Sequence, residues 1–235
     1  MYLSFRPSLA VTAATVAMVA LTVALGNWQE RRVGEKNALA AQFEQRMAAP
    51  VLALPAAAAD AASLQFHRLA ARGEYAPALS FFLDNKVLDG VPGYFVITPL
   101  KLEGGAEYVL VNRGWAAAGP RRDVLPELAT PAGPQVVEGI ATVPTKRFLQ
   151  LGAEVPGRVR ENLLIDALAA EWRIPLQPIV LQQTSGAADG LVRRWERPDN
   201  GSERNRSYAL QWYSFAALAA FLYVALNLKR ARRAR

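Results

Sequence analysis

Apolar positions follow two different patterns along the chain. Residues 7–29 form 23 positions without a formal charge, with 8–26 almost entirely Ala, Val, Leu, Met and Thr, and residues 207–228 form a second uncharged run of 22. At about 1.5 Å of rise per residue, roughly 20 residues cross the ~30 Å hydrocarbon layer. Each run therefore predicts a membrane-spanning helix, over 8–28 and 207–228. The first is longer than the ~7–15 apolar residues of a signal peptide, so it reads as an anchor despite the small residues Ala24 and Gly26 near its end.

Between these runs the pattern shortens. Over 31–48, Ala40, Phe43 and Met47 recur at helical spacing and predict a helix continuing the first span as far as Pro50. An Ala-rich stretch, 48–62, broken by Pro50 and Pro55, reads as loop or weak helix. After it, β-branched and aromatic runs at 66–72, 80–87, 94–100, 108–115, 135–144, 179–183 and 191–196 alternate with turn residues such as Gly90, Pro92-Gly93, Gly104-Gly105, Gly119-Pro120, Gly133-Pro134 and Gly186. That spacing predicts an antiparallel sheet or small barrel. Leu164, Leu168 and Trp172, four residues apart, predict one helix over 163–172. The expected class is α+β: two transmembrane helices flanking a mostly antiparallel, barrel-like β domain (29–206) with one or two helices, and a basic tail at 229–235.

Charge sharpens the topology. The formal net charge is +7, which suggests nucleic acid until its distribution is read. Arg6, Lys229, Arg230, Arg232, Arg233 and Arg235 lie outside the two apolar runs and carry +6, whereas the 21 basic and 20 acidic residues between them nearly cancel. A nucleic-acid partner is not expected. Lys and Arg beside spans stay in the cytoplasm, so KRARRAR after the second span, supported by Arg6, puts both termini in the cytoplasm, against the opposing pair Arg31 and Arg32. The central domain then faces outward, into the periplasm of a bacterium or the intermembrane space of a mitochondrion.

Candidate chemistry is sparse. With no Cys and a single His there is no disulfide framework, thiolate metal site or His cluster, and HExxH, GxSxG, P-loop and GxGxxG motifs are missing. No catalytic and no metal-ligating residue is singled out, and a site assembled from acidic residues on distant strands stays open at this point. His67 reads as an ordinary surface or half-buried histidine in a strand. What stands out is the outer end of both spans, LGNWQERR (25–32) and RNRSYALQWYSFA (204–216). Tyr208, Gln211, Trp212 and Phe215 share one helix face by their i, i+3, i+4, i+7 spacing. An aromatic belt explains the rings. Gln211 calls for a partner, and interhelical contact helped by Ala13 and Ala17, or Ala216 and Ala220, is one answer. A site for a partner protein or flat cofactor is the other. In the domain, GYFVITPL (93–100) and VLVNRGW (109–115) read as strands, the second ending at Gly114 in a turn where Arg113 hydrogen-bonds carbonyls and Trp115 packs.

Taken in order, LGNWQERR with Lys36, FHRLAARGEY, NKVLDGVPGYFVITPL, VLVNRGW, ENLLIDALAAEW, RRWERPD and YALQWYSFA resemble the surfeit locus protein 1 family, two-span membrane assembly factors for cytochrome c oxidase. The resemblance covers nearly the whole chain. It implies a chaperone of the respiratory chain in the cell inner membrane, with the domain periplasmic and no turnover of its own. Its partners would be the large oxidase subunit, other assembly factors and the lipid bilayer, and its task maturation of that subunit, haem a insertion being the proposal for bacterial members. Carried over residue by residue, Trp28, Gln29 and Arg32 match the first signature, Gly93, Tyr94, Thr98 and Pro99 the second, Asn112, Arg113, Gly114 and Trp115 the third, and Tyr208, Ala209 and Trp212 the last. Tyr208 and Trp212 are the candidates to meet haem; Trp28, Gln29, Arg32, Tyr94, Asn112, Arg113, Gly114, Trp115 and Gln211 are candidates for the partner interface. One position departs: where the family commonly has a His three residues before the Tyr, this chain has Asn205, and Asn is a poor axial ligand of haem iron. The alternative function is a scaffold or accessory subunit of another envelope complex that binds protein only.

Overall fold

Residues 2–5, 7–119, 124–127, 129–144, 157–198 and 201–231 are described in the computed structural model of the chain. Arg6, Pro120, Asp199 and most of the basic tail, 232–235, which figured in the sequence reading, lie outside them. In chain order the elements are β1 (Tyr2–Phe5), α1 (Leu9–Ala48), β2 (Leu52–Ala53), α2 (Ala61–Leu64), β3 (Arg68–Tyr75), β4 (Phe81–Leu88), β5 (Val91–Leu102), β6 (Tyr108–Ala117), β7 (Pro134–Thr142), β8 (Val159–Arg160), α3 (Ile165–Trp172), β9 (Leu176–Gln183), α4 (Ser202–Asn227) and β10 (Leu228–Ala231). They form two units, Met1–Gln42 with Arg197–Arg235, and Phe43–Glu196.

The first unit is a helical hairpin. α1 runs without interruption through Asn27–Arg32, because no Gly-Pro pair or proline breaks it before Pro50, whose ring and missing N–H are incompatible with a continuing helix. Both α1 and α4 are long and apolar enough to cross a membrane, with mean hydropathy of 2.1 and 1.6 in their most apolar stretches. Thr22, Gly26, Gln29 and Val33 are buried on α1, spaced four, three and four apart; Ser202, Ala209 and Ala216 are buried on α4, seven apart. This 3.5-residue period is that of two helices winding side by side. Polar contacts tie the antiparallel pair along its length: Thr12 Oγ1 to Tyr223 Oη at 2.8 Å, and the Tyr213 hydroxyl donating to Asn27 Oδ1 at 2.8 Å. β1 pairs antiparallel with β10, so the two ends of the hairpin lie side by side. Ala13, Ala17 and Ala220, expected at the contact, are exposed; only Ala216 of that set is buried, because the period of the buried stripe passes through Thr22 and Gly26 instead.

The second unit is built on a closed ring of five strands. β3 pairs with β7, β7 with β9, β9 with β6, β6 with β5, and β5 returns to β3 through Gly73↔Leu102, Glu74↔Lys101 and Tyr75↔Leu100. All of these pairings are antiparallel except β6 with β9. β4 extends the sheet from the first half of β5, β8 lies parallel beside β4, and β2 lies parallel beside β3. Closing the ring brings backbones together so tightly that a Cβ on Gly73 would lie 2.0 Å from the Lys101 carbonyl oxygen. Pro99 sits where β5 hands over from β4 to β3: its carbonyl accepts from the Ala76 N–H at 2.8 Å, and the N–H it lacks would have faced the same break.

Strict alternation divides the buried residues. Leu69, Ala71, Leu100, Leu102, Val109, Val111, Val137, Ile179 and Leu181 fill the ring, while Phe81, Ile97, Leu110 and Val180 on the other face meet Leu168 of α3. Gln177 closes one end of the ring, its amide donating to Ala57 O at 2.7 Å and accepting from the Ala59 N–H at 3.2 Å. Six of the seven predicted strands and the predicted helix α3 are present, with ends shifted by a few residues. The exception is 191–196, which forms no strand: only Val192 bridges Trp115. Its side chains explain why. Arg193 turns back to Asp189, Arg194 pairs with Asp89 and the Trp195 indole donates to Gln183 O at 2.8 Å, so the segment is a strap held by side chains rather than by a ladder.

Candidate functional site

In the helical unit, Gln29 and Lys36 of α1 meet at Asn205. Its amide nitrogen donates to Gln29 Oε1 at 2.6 Å, and its oxygen accepts from Lys36 Nζ at 2.8 Å. Lys36 reaches further to Gly201 O at 3.4 Å. A primary amide carries donor and acceptor on one carbon, and here both are taken by α1. Arg32 pairs with Glu35 at 2.9 Å in solvent, and Trp28 is exposed. The residues at position 205 do not fit an axial haem ligand: the Asn205 nitrogen has no free lone pair, and its oxygen is occupied by a cation.

Of the two answers open for Gln211, the structure removes the interhelical one. Gln211 is exposed and faces away from α1, as do Tyr208 (46% exposed) and Phe215, while Trp212 is half-buried and meets Phe215 edge-on at 5.9 Å. Interhelical amide bonding does occur, but through Gln29 and Asn205, on the face that carries Ala209. Replacing Asn205 by leucine leaves the Gln29 oxygen and the Lys36 ammonium each one partner short. An expected loss of about 1–3 kcal/mol would appear as a lower unfolding temperature of the full chain in detergent, and an unchanged one would show the bridge to be idle.

In the β unit the third signature forms a bulge, not the end of a strand. Val96 pairs with Gly114 and Ile97 with Asn112, leaving Arg113 as the extra residue, and β6 runs on to Ala117. Gly114 adopts φ +145°, and a Cβ there would sit 2.9 Å from Leu191 Cβ and 3.0 Å from the Val192 carbonyl, so glycine is needed for both reasons. The bulge lets the strap dock: Trp115 N–H donates to Val192 O at 2.8 Å and Val192 N–H to Trp115 O at 2.9 Å. The Trp115 indole donates to Lys86 O at 3.0 Å. Asn112 is buried with its Oδ1 unpaired among the described residues, and Tyr94 packs on Phe82 at 5.5 Å.

Arg113 follows Val109 and Val111 into the ring and closes its second end. Its side chain is 1% exposed, against 2% for Asp189, to which it donates at 3.0 Å. It also donates to Thr130 Oγ1 at 2.8 Å and Ala129 O at 2.5 Å, the carbonyl bonding foreseen for it. Arg193 donates to the same Asp189 oxygen at 2.6 Å, and Leu191 N–H to the other at 3.3 Å. Burial alone would raise the Asp189 carboxyl, but the hydrogen bonds from Arg193, Leu191 and Arg113 outweigh it and hold the group below the usual carboxylate value. The Arg113 guanidinium lies 5.3 Å from the Tyr75 ring centre, and burial pushes the Tyr75 phenol up to about 12 against the pull of Arg113 and Arg193. The local sequence signals none of Tyr75, Asp189 or Arg193 as partners of Arg113; they come together only because β3, β6 and the strap meet at one mouth of the ring.

His67 lies just before β3, half-buried, with Nδ1 unpaired. Burial, and then the Arg46 guanidinium, lower it below the ordinary imidazole value. It therefore favours the neutral form, and its contribution to stability is present above the unfolded value near 6.5 and fades as pH falls. Because the chain has one His, a proton NMR titration of its imidazole must give a single curve, with a midpoint expected below 6.5. A midpoint at or above that value would contradict this environment.

A family model described as the SURF1 family matches residues 16–217, from within α1, through both units, to the middle of α4. The chain belongs to the SURF1 family. Among relatives, a SURF1-like protein of Drosophila melanogaster is 27% identical over 90% of this chain and 75% of its own length. One from Monosiga brevicollis is 26% identical over 94% of this chain and 88% of its own. The Saccharomyces cerevisiae protein named cytochrome oxidase assembly protein SHY1 is 28% identical over 42% of this chain and 26% of that protein. Two apolar helices in a chain of the SURF1 family point to a membrane protein.

Proposed function

We propose that this SURF1-family chain is a non-enzymatic assembly factor for cytochrome c oxidase, held in the cell inner membrane by α1 and α4, with both termini cytoplasmic and the β unit periplasmic. The observation that carries the reading is the family match across both units, together with a relative named for oxidase assembly. The side-by-side ends of the hairpin and the basic residues after α4 support a shared cytoplasmic side. The exposed face of Tyr208, Gln211 and Phe215, with Trp28 on α1, is the surface assigned to the large oxidase subunit at the stage when that subunit acquires haem a. Because Asn205 is committed to Gln29 and Lys36, the chain is assigned the holding of protein, and no step through haem is assigned to it.

Deleting the gene is expected to lower oxidase activity and the haem a signal with subunit messages unchanged; unaltered oxidase spectra would defeat the reading. Asn205 also favours a second reading, a scaffold of another envelope complex that binds protein only. Purification from cells that make haem a separates the possibilities. Oxidase subunits in the eluate and no Soret band support the first reading, other envelope proteins the second, and a Soret band would return haem carriage to this chain.

A further inference from the structure

The mouth of the ring closed by Arg113 is over-supplied with donors and with positive charge. Among the described residues, one carboxylate, Asp189, faces two guanidiniums, Arg113 and Arg193. Both Asp189 oxygens already accept, one from both arginines and the other from the Leu191 N–H. Yet Arg113 Nε and Arg193 Nε are buried without a partner among the described residues. A buried charge left uncompensated, and a buried donor left unsatisfied, each cost free energy that folding otherwise avoids. Arg113 and Asp189 line a cavity of about 40 Å³ together with Tyr75, Gln135, Gln183 and Ser185, and Arg193 adjoins it through its bond to Asp189. It has room for more than one water, since a single water needs roughly 10–15 Å³, and so for a small ion.

We propose that this cavity binds a small monovalent inorganic anion of the chloride class. Water supplies acceptors but no charge, whereas a halide accepts from several donors at once and cancels the surplus guanidinium. Asp189 does not repel it strongly, because the carboxylate is already neutralised by one of the two arginines. The proposal is independent of the assembly role. It gives the strap, 191–196, an ionic component: the anion, Asp189 and the two guanidiniums hold it against the ring.

The test uses the full chain in detergent, with near-UV circular dichroism following unfolding while sodium chloride replaces sodium gluconate at constant ionic strength. A saturable rise in Tm is expected, about 3–6 °C at a tenfold excess over Kd, together with broadening of the ³⁵Cl NMR line that bromide reverses. Arg193→Gln, which removes the surplus charge, is expected to abolish both signals. Ala187→Leu, which enlarges a lining residue, is expected to do so by filling the cavity, and stands in if the first variant does not fold. Equal Tm in the two salts with a sharp ³⁵Cl line would mean that the cavity holds water only and would overturn the proposal. So would a chloride response that persists in either folded variant.

Discussion

Asp189→Ala is expected to destabilise the β unit by about 3–5 kcal/mol, the cost of removing one partner from a buried ionic cluster. The loss is large because Arg113 cannot turn to water: its side chain is 1% exposed at the end of the ring, and its other partners, Thr130 and Ala129, are neutral. For a domain of this size that corresponds to a fall in Tm of roughly 6–20 °C. Differential scanning calorimetry of the full chain measures it; a shift under about 2 °C would mean that the cluster contributes little. The same carboxylate sets an acid limit. Since the folded state holds Asp189 below its unfolded value near 3.8, its contribution is complete above that pH and is lost as pH falls through the lowered folded value. Asp189→Asn should remove this acid dependence while costing less at neutral pH, because it keeps the shape and one acceptor.

Gly73→Ala should open the ring. The new Cβ would sit 2.0 Å from the Lys101 carbonyl oxygen and 3.2 Å from Leu100 Cγ, and the first of these is backbone that no rotamer change can move. The three pairs that join β3 to β5 would have to separate, at a cost at or above the ~3 kcal/mol upper end of ordinary overpacking. Gly186→Ala is the control, since nothing lies within 4 Å of its Cβ position, and it should change stability by less than about 0.5 kcal/mol. Chemical denaturation of both variants checks the pair; equal midpoints would show that closure at Gly73 is not required.

The two helices, most strands and α3 were legible because each rests on a local period: uncharged runs long enough to span, alternation in the strands, and the four-residue spacing of Leu164, Leu168 and Trp172. What failed was what depends on distant chain. The run 191–196 has strand composition, but Asp189, Asp89 and Gln183 capture its side chains, and none of them is recognisable from that run. Arg113 was legible as a residue that bonds carbonyls, whereas its carboxylate partner, 76 residues away, was not. Gln211 attracted attention as a polar residue on an apolar helix; the bridging amides proved to be Gln29 and Asn205, because burial follows a 3.5-residue stripe that Gln211 misses. Asn205 departs from the family pattern in the sequence, and its bonds to Gln29 and Lys36 give that departure a physical content.

The parallel pairing of β6 with β9 has a consequence for synthesis. The ring cannot close until β9 has been made, and only 18 residues separate Gln183 from the first residue of α4. Until that moment β3, β5, β6 and β7 form an open sheet whose inner face, Leu69, Val109, Val111 and Val137 among it, is unprotected. On the proposed topology the β unit would cross the membrane unfinished and complete itself just as the second apolar helix is made. A ribosome stalled before β9 would leave a nascent chain with an exposed sheet, the state in which a holdase is most needed.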